Sequence, residues 1–213
     1  MNTEELKEIR HTLHKMPEIG RGEYKTSAYI KRKLDEYKIP YKTVFNTGVV
    51  GVIEGEKDGK TVLLRADIDA LPIYEESGVE FSSEIDGMMH ACGHDVHTAC
   101  LLGAAKILNS LKKDIKGKIL LVFQPDEEGD GGAEFMIKEG MADDVSAAFA
   151  FHVEPLEETG NIQIRDGAIM ASPDDFEIVI EGVGGHGAYP EKCINPIEIA
   201  FEILKNYKNN IIN

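Results

Sequence analysis

Apolar and polar positions follow first helical and then strand spacing along the N-terminal part of the chain. Apolar residues at helical spacing predict a helix over residues 24–37, and Asn2 as N-cap with Glu5 at the third helical position predicts one over residues 2–15. Short runs rich in β-branched and aromatic residues predict strands that are separated by glycine-containing turns. These strands are expected at residues 41–45, 49–54 and 61–65, with turns at 46–48 and 57–59.

The central part of the chain carries continuous apolar runs, which are typical of strands covered on both faces. Residues 118–123 and 146–151 are such runs. Helices are predicted around them: an apolar helix capped by Asp95, and a short helix over residues 132–138 that Gly140 closes. This order of strands and helices predicts an α/β fold with a mostly parallel central sheet and helices on both faces.

The pattern changes near Pro173, and the change predicts a domain boundary. Residues 175–181 alternate strictly between apolar and polar, as in a strand of an antiparallel sheet with one wet face. A helix is then predicted to begin at Pro196, with Asn195 as its N-cap. We expect a domain at 1–173 and the incomplete beginning of a smaller α+β domain at 174–213.

Composition and charge restrict the class of protein. The chain has 213 residues, of which 42% are hydrophobic, enough for one packed domain or one domain plus part of another. Its 38 acidic and 23 basic residues give a formal net charge of −15, which disfavours nucleic acid and anionic membranes as partners. No signal peptide or membrane span is recognisable, and three cysteines do not suggest a disulfide framework. The expectation is a cytoplasmic protein.

Chemically capable side chains follow three of the predicted strands. Because ligand sites of α/β sheets lie at the carboxyl ends of the strands, these side chains are expected to meet at one rim. Asp67 and Asp69 follow the third strand, Glu127 and Glu128 follow the first apolar run, and His152 follows the second.

The densest cluster of metal-ligating side chains is HACGHDVH at residues 90–97. One glycine separates Cys92 from His94, and it lets the backbone turn so that both side chains converge. Thiolate, imidazole and carboxylate suit zinc, and they also hold manganese, cobalt or nickel. The adjacent carboxylates of Glu127 and Glu128 repel each other unless a cation or a shared proton compensates. A solvated acidic turn and a thiol enzyme using Cys92 are the alternatives.

Together these motifs resemble the zinc-peptidase-like amidohydrolases, a family of aminoacylases, hippurate hydrolases and plant auxin-conjugate hydrolases. The resemblance extends over essentially the whole chain. The chain departs from the family pattern at Asp126, Glu191 and Asn195, where Ala, His and Asp are common. The matching segments are RHTLH at 10–14, RADIDALP at 65–72, HACGHDVH at 90–97, FQPDEEG at 123–129, FHVEP at 151–155 and GGHGAYP at 184–190.

The resemblance implies a catalytic site for two divalent ions, and the donor types suit Zn, Mn, Co or Ni. It implies that Glu127 is the general base and that Asp69 is the supporting acid that orients a metal ligand. His186 resembles the histidine of the lid, or dimerisation, domain that reaches the partner subunit's active site and stabilises the oxyanion. The implied metal ligands are Cys92, His94, Glu128 and His152.

The implied activity is hydrolysis of the amide bond of N-acyl-amino acids by a metal-activated water, with Glu127 as general base. Two alternatives stay open: a dipeptidase or acetyl-intermediate deacetylase of the same superfamily, and a non-catalytic remnant that binds metal or dimerises. Family members are longer and supply a last histidine ligand after the lid, so we expect a C-terminally truncated chain with little activity by itself. The expected partners are a small N-acyl-amino acid and further copies of the chain, as a homodimer or higher homo-oligomer.

Overall fold

The computed structural model describes residues 2–172 and 176–211, the last four of them by backbone only. The chain divides into two compact units, Met1–Glu158 and Thr159–Asn213. The domain boundary predicted at 173/174 stays a prediction, since residues 173–175 lie outside the described residues. The elements are α1 (Thr3–His14), α2 (Tyr24–Glu36), β1 (Tyr41–Val44), β2 (Gly48–Glu54), β3 (Lys57–Asp67), α3 (His94–Ser110), β4 (Lys116–Gln124), α4 (Gly132–Lys138), β5 (Val145–Ala150), a short 3-10 helix (Pro190–Lys192) and α5 (Pro196–Ile211).

The first unit is built on a five-stranded mixed sheet with the order β1-β2-β4-β3-β5. β3 is parallel to both β4 and β5, whereas β1 and β2, and β2 and β4, are antiparallel. The α/β class is confirmed, but the prediction of a mostly parallel sheet is wrong. β1 and β2 are antiparallel because the turn between Val44 and Gly48 is long enough for a hairpin but too short for the crossover that parallel strands need.

Alternate residues of the central strands face two separate hydrophobic cores. Val49 and Phe123 pack with apolar residues of α1, α2 and α3 on one face of the sheet. Val50 and Val122 pack with Met136 of α4 on the other face. Each large apolar side chain buried in this way contributes about 1.5–3 kcal/mol to folding. Both faces of β4 are covered, which explains its continuous apolar run and confirms the prediction of helices on both faces.

Two strands of this sheet differ from their prediction. β3 begins at Lys57, which pairs with Lys116, so the turn predicted at residues 57–59 is part of the strand. β5 was predicted to be buried, but it lies at the edge of the sheet, where Phe149 is 60% exposed. The apolar run at residues 146–151 therefore predicted the strand β5 correctly but did not predict its exposure.

The start of α3 also differs from its prediction. The helix begins at His94, and Gly93, with φ of 91°, takes the N-cap position that the sequence assigned to Asp95. Asp95 instead lies in the first turn, where its carboxylate accepts hydrogen bonds from Arg10 (3.1 Å) and His14 (2.9 Å). Asp95 thus joins α1 to α3 instead of capping α3.

In the second unit, α5 begins at Pro196 as predicted, and the Asn195 side chain accepts the Ile197 N–H at 3.1 Å. Residues 176–181 of the predicted strand form no strand, and residue 175 lies outside the described residues. Val183 and Ile194 form an isolated antiparallel bridge. The α+β character predicted for this unit is therefore not seen in its described residues. Across both units, no described helix is long and apolar enough to cross a bilayer.

Candidate metal centre

The carboxyl ends of β3, β4 and β5 lie at the same end of the sheet, because β3 is parallel to both of its neighbours. This end is called the rim. Asp67 at the end of β3 pairs with Gln124 at the end of β4, and Arg65 pairs with Ala150 of β5. The rim predicted from the three strand ends is therefore confirmed. The segments that follow these strands carry Asp69, Glu127, Glu128 and His152.

His94 is the buried centre of this rim, with 1% of its surface exposed. Its Nδ1 donates to the Asp69 carbonyl oxygen at 2.9 Å, so Nε2 faces the rim. Glu127 Oε2 and Glu128 Oε1 each lie 3.8 Å from this Nε2. Nε2 has no hydrogen-bond partner within the described part of the chain. A buried nitrogen without a partner is costly, and this one is aimed at two carboxylates.

Cys92 and His152 complete the group on the exposed side. Cys92 Sγ lies 3.2 Å from His152 Nε2. His152 Nδ1 lies 2.7 Å from the Val153 carbonyl oxygen, and donating to that oxygen leaves Nε2 free to face the thiol. One ligand atom from each of Cys92, His94 and His152 lies within 4.8 Å of the others, and the same holds for His94, Glu127 and Glu128. The structure thus brings all the predicted ligands of the first unit together.

Asp69 connects two of these groups. Its Oδ1 lies 3.2 Å from His94 Nδ1, and its Oδ2 accepts the backbone N–H of Glu128 at 2.9 Å. Asp69 is only 1% exposed. One carboxylate therefore fixes both the ring of His94 and the backbone that carries Glu128.

Asp67, which was expected at this rim, and His97, the last residue of the HACGHDVH cluster, also belong to the site, although no specific role was predicted for either. His97 Nε2 accepts the Val153 N–H at 3.0 Å, so Nδ1 carries the proton and donates to Asp67 Oδ1 at 2.6 Å. Arg65 Nη1 donates to Asp67 Oδ2 at 2.7 Å. The signal was present in the sequence, because His97 lies one helical turn after His94 on the same helix.

The charges of the site change its pKa values. Burial, together with the hydrogen bond and negative charge of Glu128, raises the pKa of the Cys92 thiol to about 12. Burial would lower the pKa of His94, but the hydrogen bond to Asp69 and the nearby carboxylates raise it above the ordinary value. Burial also raises the pKa of Glu127. The site is an acidic cluster that favours a bound cation.

His186 lies in the second unit and is exposed. Its Nδ1 accepts the Ala188 N–H at 3.1 Å, and its ring centroid lies 5.7 Å from that of Tyr189. These contacts fix the His186 side chain locally.

The residues of the rim fit a divalent transition metal. A thiol, two imidazoles and two carboxylates are the donor types that bind zinc and its neighbours. The unpartnered His94 Nε2 faces the carboxylates, and a cation placed there would satisfy both. Both the chemical types of these donors and their positions therefore suit a divalent metal ion.

The sequence matches the family model "Peptidase family M20/M25/M40" over residues 63–209. The chain belongs to this family. The resemblance to metal-dependent amidohydrolases that the motifs indicated is thereby confirmed.

Curated relatives of this M20-family chain are known. It is 42% identical to an N-acetylcysteine deacetylase of Bacillus subtilis, over 94% of this chain and 53% of the relative. It is 46% identical to thermostable carboxypeptidase 2 of Saccharolobus solfataricus, over 92% and 51%. It is 42% identical to an N-acyl-L-amino acid amidohydrolase of Geobacillus stearothermophilus, over 94% and 55%. The M20-family chain thus spans about half the length of these relatives.

A solved structure supports the same assignment. The crystal structure of the YXEP protein of Bacillus subtilis, described as a dinuclear metal binding peptidase from the M20 family, is 41% identical. The TM-score is 0.75, over 76% of this chain and 46% of that one. The α/β catalytic fold of the M20 family is therefore present in this chain.

Proposed function

We propose that this chain forms the metal-binding part of a metal-dependent amidohydrolase that cleaves N-acyl-amino acids. The observation that carries the proposal is the buried His94 Nε2, unpartnered among the described residues and 3.8 Å from both Glu127 and Glu128. Relatives named as a deacetylase of N-acetylcysteine and an amidohydrolase of N-acyl-L-amino acids support the substrate class.

The proposed metal ligands are Cys92, His94, Glu128 and His152, the four that the family resemblance implies. Cys92, Glu128 and His152 lie on the partly or largely exposed side, and His94 lies on the buried side. The name of the YXEP structure supports two ions for each complete site, and the donor types favour Zn, Mn, Co or Ni. The Cys92 thiol must lose its proton to bind such an ion, because only the thiolate is a good ligand.

Glu127 is the proposed general base. A divalent ion, when bound, lowers the pKa of water and polarises the substrate carbonyl. The Glu127 carboxylate, whose Oε2 faces His94 Nε2, accepts a proton from the attacking water and delivers it to the leaving amine nitrogen. The C–N amide bond breaks, a C–O bond forms, and the products are a carboxylate and a free amino acid. Burial raises the pKa of Glu127, the direction that favours a proton shuttle.

Asp69 and His186 have supporting roles in this proposal. Asp69 orients His94 and the Glu128 backbone through the hydrogen bonds described above. His186 is proposed to stabilise the oxyanion across a homodimer, as the family resemblance implies. The substitution His186→Ala in the full-length protein tests this role. It should lower kcat and leave the metal content unchanged.

The proposal is tested by hydrolysis assays of the full-length protein with added zinc or manganese. The panel contains N-acetyl and N-benzoyl amino acids, dipeptides, and longer peptides with a free C-terminus. We expect the N-acyl-amino acids to be cleaved fastest. Faster cleavage of the peptides would favour the carboxypeptidase activity that the Saccharolobus relative's name indicates.

Two rival functions make different predictions. A thiol enzyme needs a Cys92 thiolate, but burial and the neighbouring carboxylates raise the pKa of Cys92 to about 12, which opposes it. That rival predicts loss of activity on alkylation and no effect of a chelator. A non-catalytic remnant predicts metal binding without turnover of any substrate in the panel.

A further inference from the structure

The acidic loop, defined here as residues 125–130, carries both Glu127 and Glu128 and has a strained backbone. Asp126 has φ of 54°, the left-handed region that residues other than glycine rarely adopt. Such strain persists only where the surroundings hold it in place. The loop must therefore be fastened by contacts other than its own backbone.

Arg21 fastens the two ends of the acidic loop. Its Nε donates to Asp126 Oδ2 at 2.8 Å, and its Nη2 forms an ion pair with Asp130 Oδ2, also at 2.8 Å. Glu127 and Glu128 lie between these two contacts in the sequence. The planar guanidinium holds two carboxylates in one fixed geometry, which a lysine ammonium cannot do.

Two aromatic rings support the guanidinium. Phe45 and Phe135 stack face to face, with ring centroids 4.6 Å apart and an interplanar angle of 5°. The guanidinium carbon of Arg21 lies 5.9 Å from the Phe45 centroid and 5.5 Å from the Phe135 centroid. These cation–π contacts restrict the arginine and keep its donors directed at the loop.

The Asp126 side chain occupies a closed space that excludes larger neighbours. A methyl group added at Gly20 would lie 2.2 Å from Asp126 Oδ1, and one added at Gly129 would lie 2.3 Å from it. The Asp126 backbone N–H donates to Glu23 Oε1 at 2.9 Å, and Glu23 is fully buried. The segment from Gly20 to Glu23 therefore holds Asp126 by its side chain and its backbone.

We propose that Arg21 is a positioning residue, which fixes the acidic loop so that the Glu127 and Glu128 carboxylates face His94. This inference rests on the proposed function, because it takes the ordered acidic loop to be what allows Glu128 to bind a metal ion. Arg21 lies outside the site and contacts no proposed ligand, so it acts only through Asp126 and Asp130.

The test compares Arg21→Ala with Lys138→Ala. The control also removes a cation from the Phe135 ring (5.3 Å) and an ion pair with Glu134, but it leaves the acidic loop untouched. Amide hydrogen exchange of residues 126–132 reports loop order, and titration with Zn²⁺ reports the metal site. We expect Arg21→Ala to speed this exchange roughly fivefold and to weaken Zn²⁺ binding about tenfold, with neither change in Lys138→Ala.

Two results would overturn the proposal: exchange no faster than in Lys138→Ala, or faster exchange with unchanged Zn²⁺ affinity. If Arg21→Ala does not fold, Arg21→Lys replaces it, with a smaller but measurable increase in exchange as the expected result and wild-type exchange as the contradicting one. If the wild-type chain binds no Zn²⁺, the metal site of the proposed function is wrong, and the exchange comparison alone decides whether Arg21 fastens the loop.

Discussion

The two sides of the candidate metal centre differ in how they are held. One side, the inner wall, consists of Asp67, Asp69, His94 and His97. These side chains are at most 1% exposed and are held by hydrogen bonds. The other side, the outer wall, consists of Cys92, Glu127, Glu128 and His152. It is partly or largely exposed, with 40% exposure for the Glu127 side chain and 27% for the Glu128 side chain.

This difference separates stability from function. The inner wall is satisfied by protein contacts, apart from the one free nitrogen of His94, so its side chains stabilise the fold whether or not an ion is bound. The outer wall brings together a thiol and two carboxylates that repel one another. We expect its side chains to gain most of their stabilisation from a bound cation, so changes there should affect binding and turnover more than folding.

The largest expected effect belongs to Glu127 of the outer wall. Glu127→Gln keeps the size of the side chain and removes the proton acceptor, so turnover of the full-length protein should fall by about 10²–10⁴-fold. Metal content, measured by atomic emission, should stay unchanged. Glu134→Gln is the matched control, because Glu134 lies on α4 and pairs with Lys138. Wild-type turnover in Glu127→Gln would show that this carboxylate is only part of an acidic turn.

The inner wall should respond in stability. Asp67→Ala leaves His97 and Arg65 without their shared carboxylate, and breaking such a buried network costs on the order of 3 kcal/mol. Urea unfolding in the presence of a chelator measures this loss without any contribution from metal. Asp58→Ala, at an exposed position of β3, should change stability by less than about 0.5 kcal/mol. Equal stabilities of the two variants would remove the distinction between the walls.

Acid should destabilise the buried region next to the inner wall. Burial lowers the pKa of His90 from 6.5 to about 4, so between these values the unfolded chain binds a proton that the folded chain does not. Stability is therefore lost as the pH falls, by about 2 kcal/mol between pH 7 and pH 5 from this group.

His90→Gln tests this contribution by urea unfolding at the two pH values. The variant should lose less stability on acidification than the wild type, since glutamine does not titrate in this range. An identical loss in both proteins would assign the acid sensitivity to other groups.

The smallest expected change in stability belongs to His152 of the outer wall. His152→Ala removes one proposed ligand from an exposed position, so Zn²⁺ affinity should fall at least about tenfold. Stability without metal should change by less than about 1 kcal/mol. His94→Ala should instead lower both, because His94 is buried and hydrogen-bonded to Asp69. Unchanged metal content in both variants would contradict the ligand assignment.

The sequence predicted those parts of the fold that depend on local pattern. α4 begins and ends where the apolar spacing and Gly140 indicate, and α1 begins after its Asn2 cap. The rim was predictable because acids and an imidazole follow three strands, and parallel strands end at one edge.

What the sequence did not predict depends on neighbours that are distant along the chain. The exposure of β5 follows from its edge position, and residues 176–181 form no strand despite their alternation. The role of His97 was not predicted, because its two partners, Asp67 and the Val153 backbone, are brought to it only by the fold. Pattern shows what a segment is able to form, whereas pairing decides what it forms.

X-ray absorption spectroscopy of the zinc-loaded protein shows directly whether Cys92, His94, Glu128 and His152 bind a divalent metal. We expect a sulfur ligand at about 2.3 Å and nitrogen or oxygen ligands at about 2.0–2.2 Å. The sulfur contribution should disappear in Cys92→Ser and persist in Cys100→Ser, a cysteine that lies outside the candidate groups of ligands. Zinc bound only by nitrogen and oxygen in the wild-type protein would contradict the proposed site.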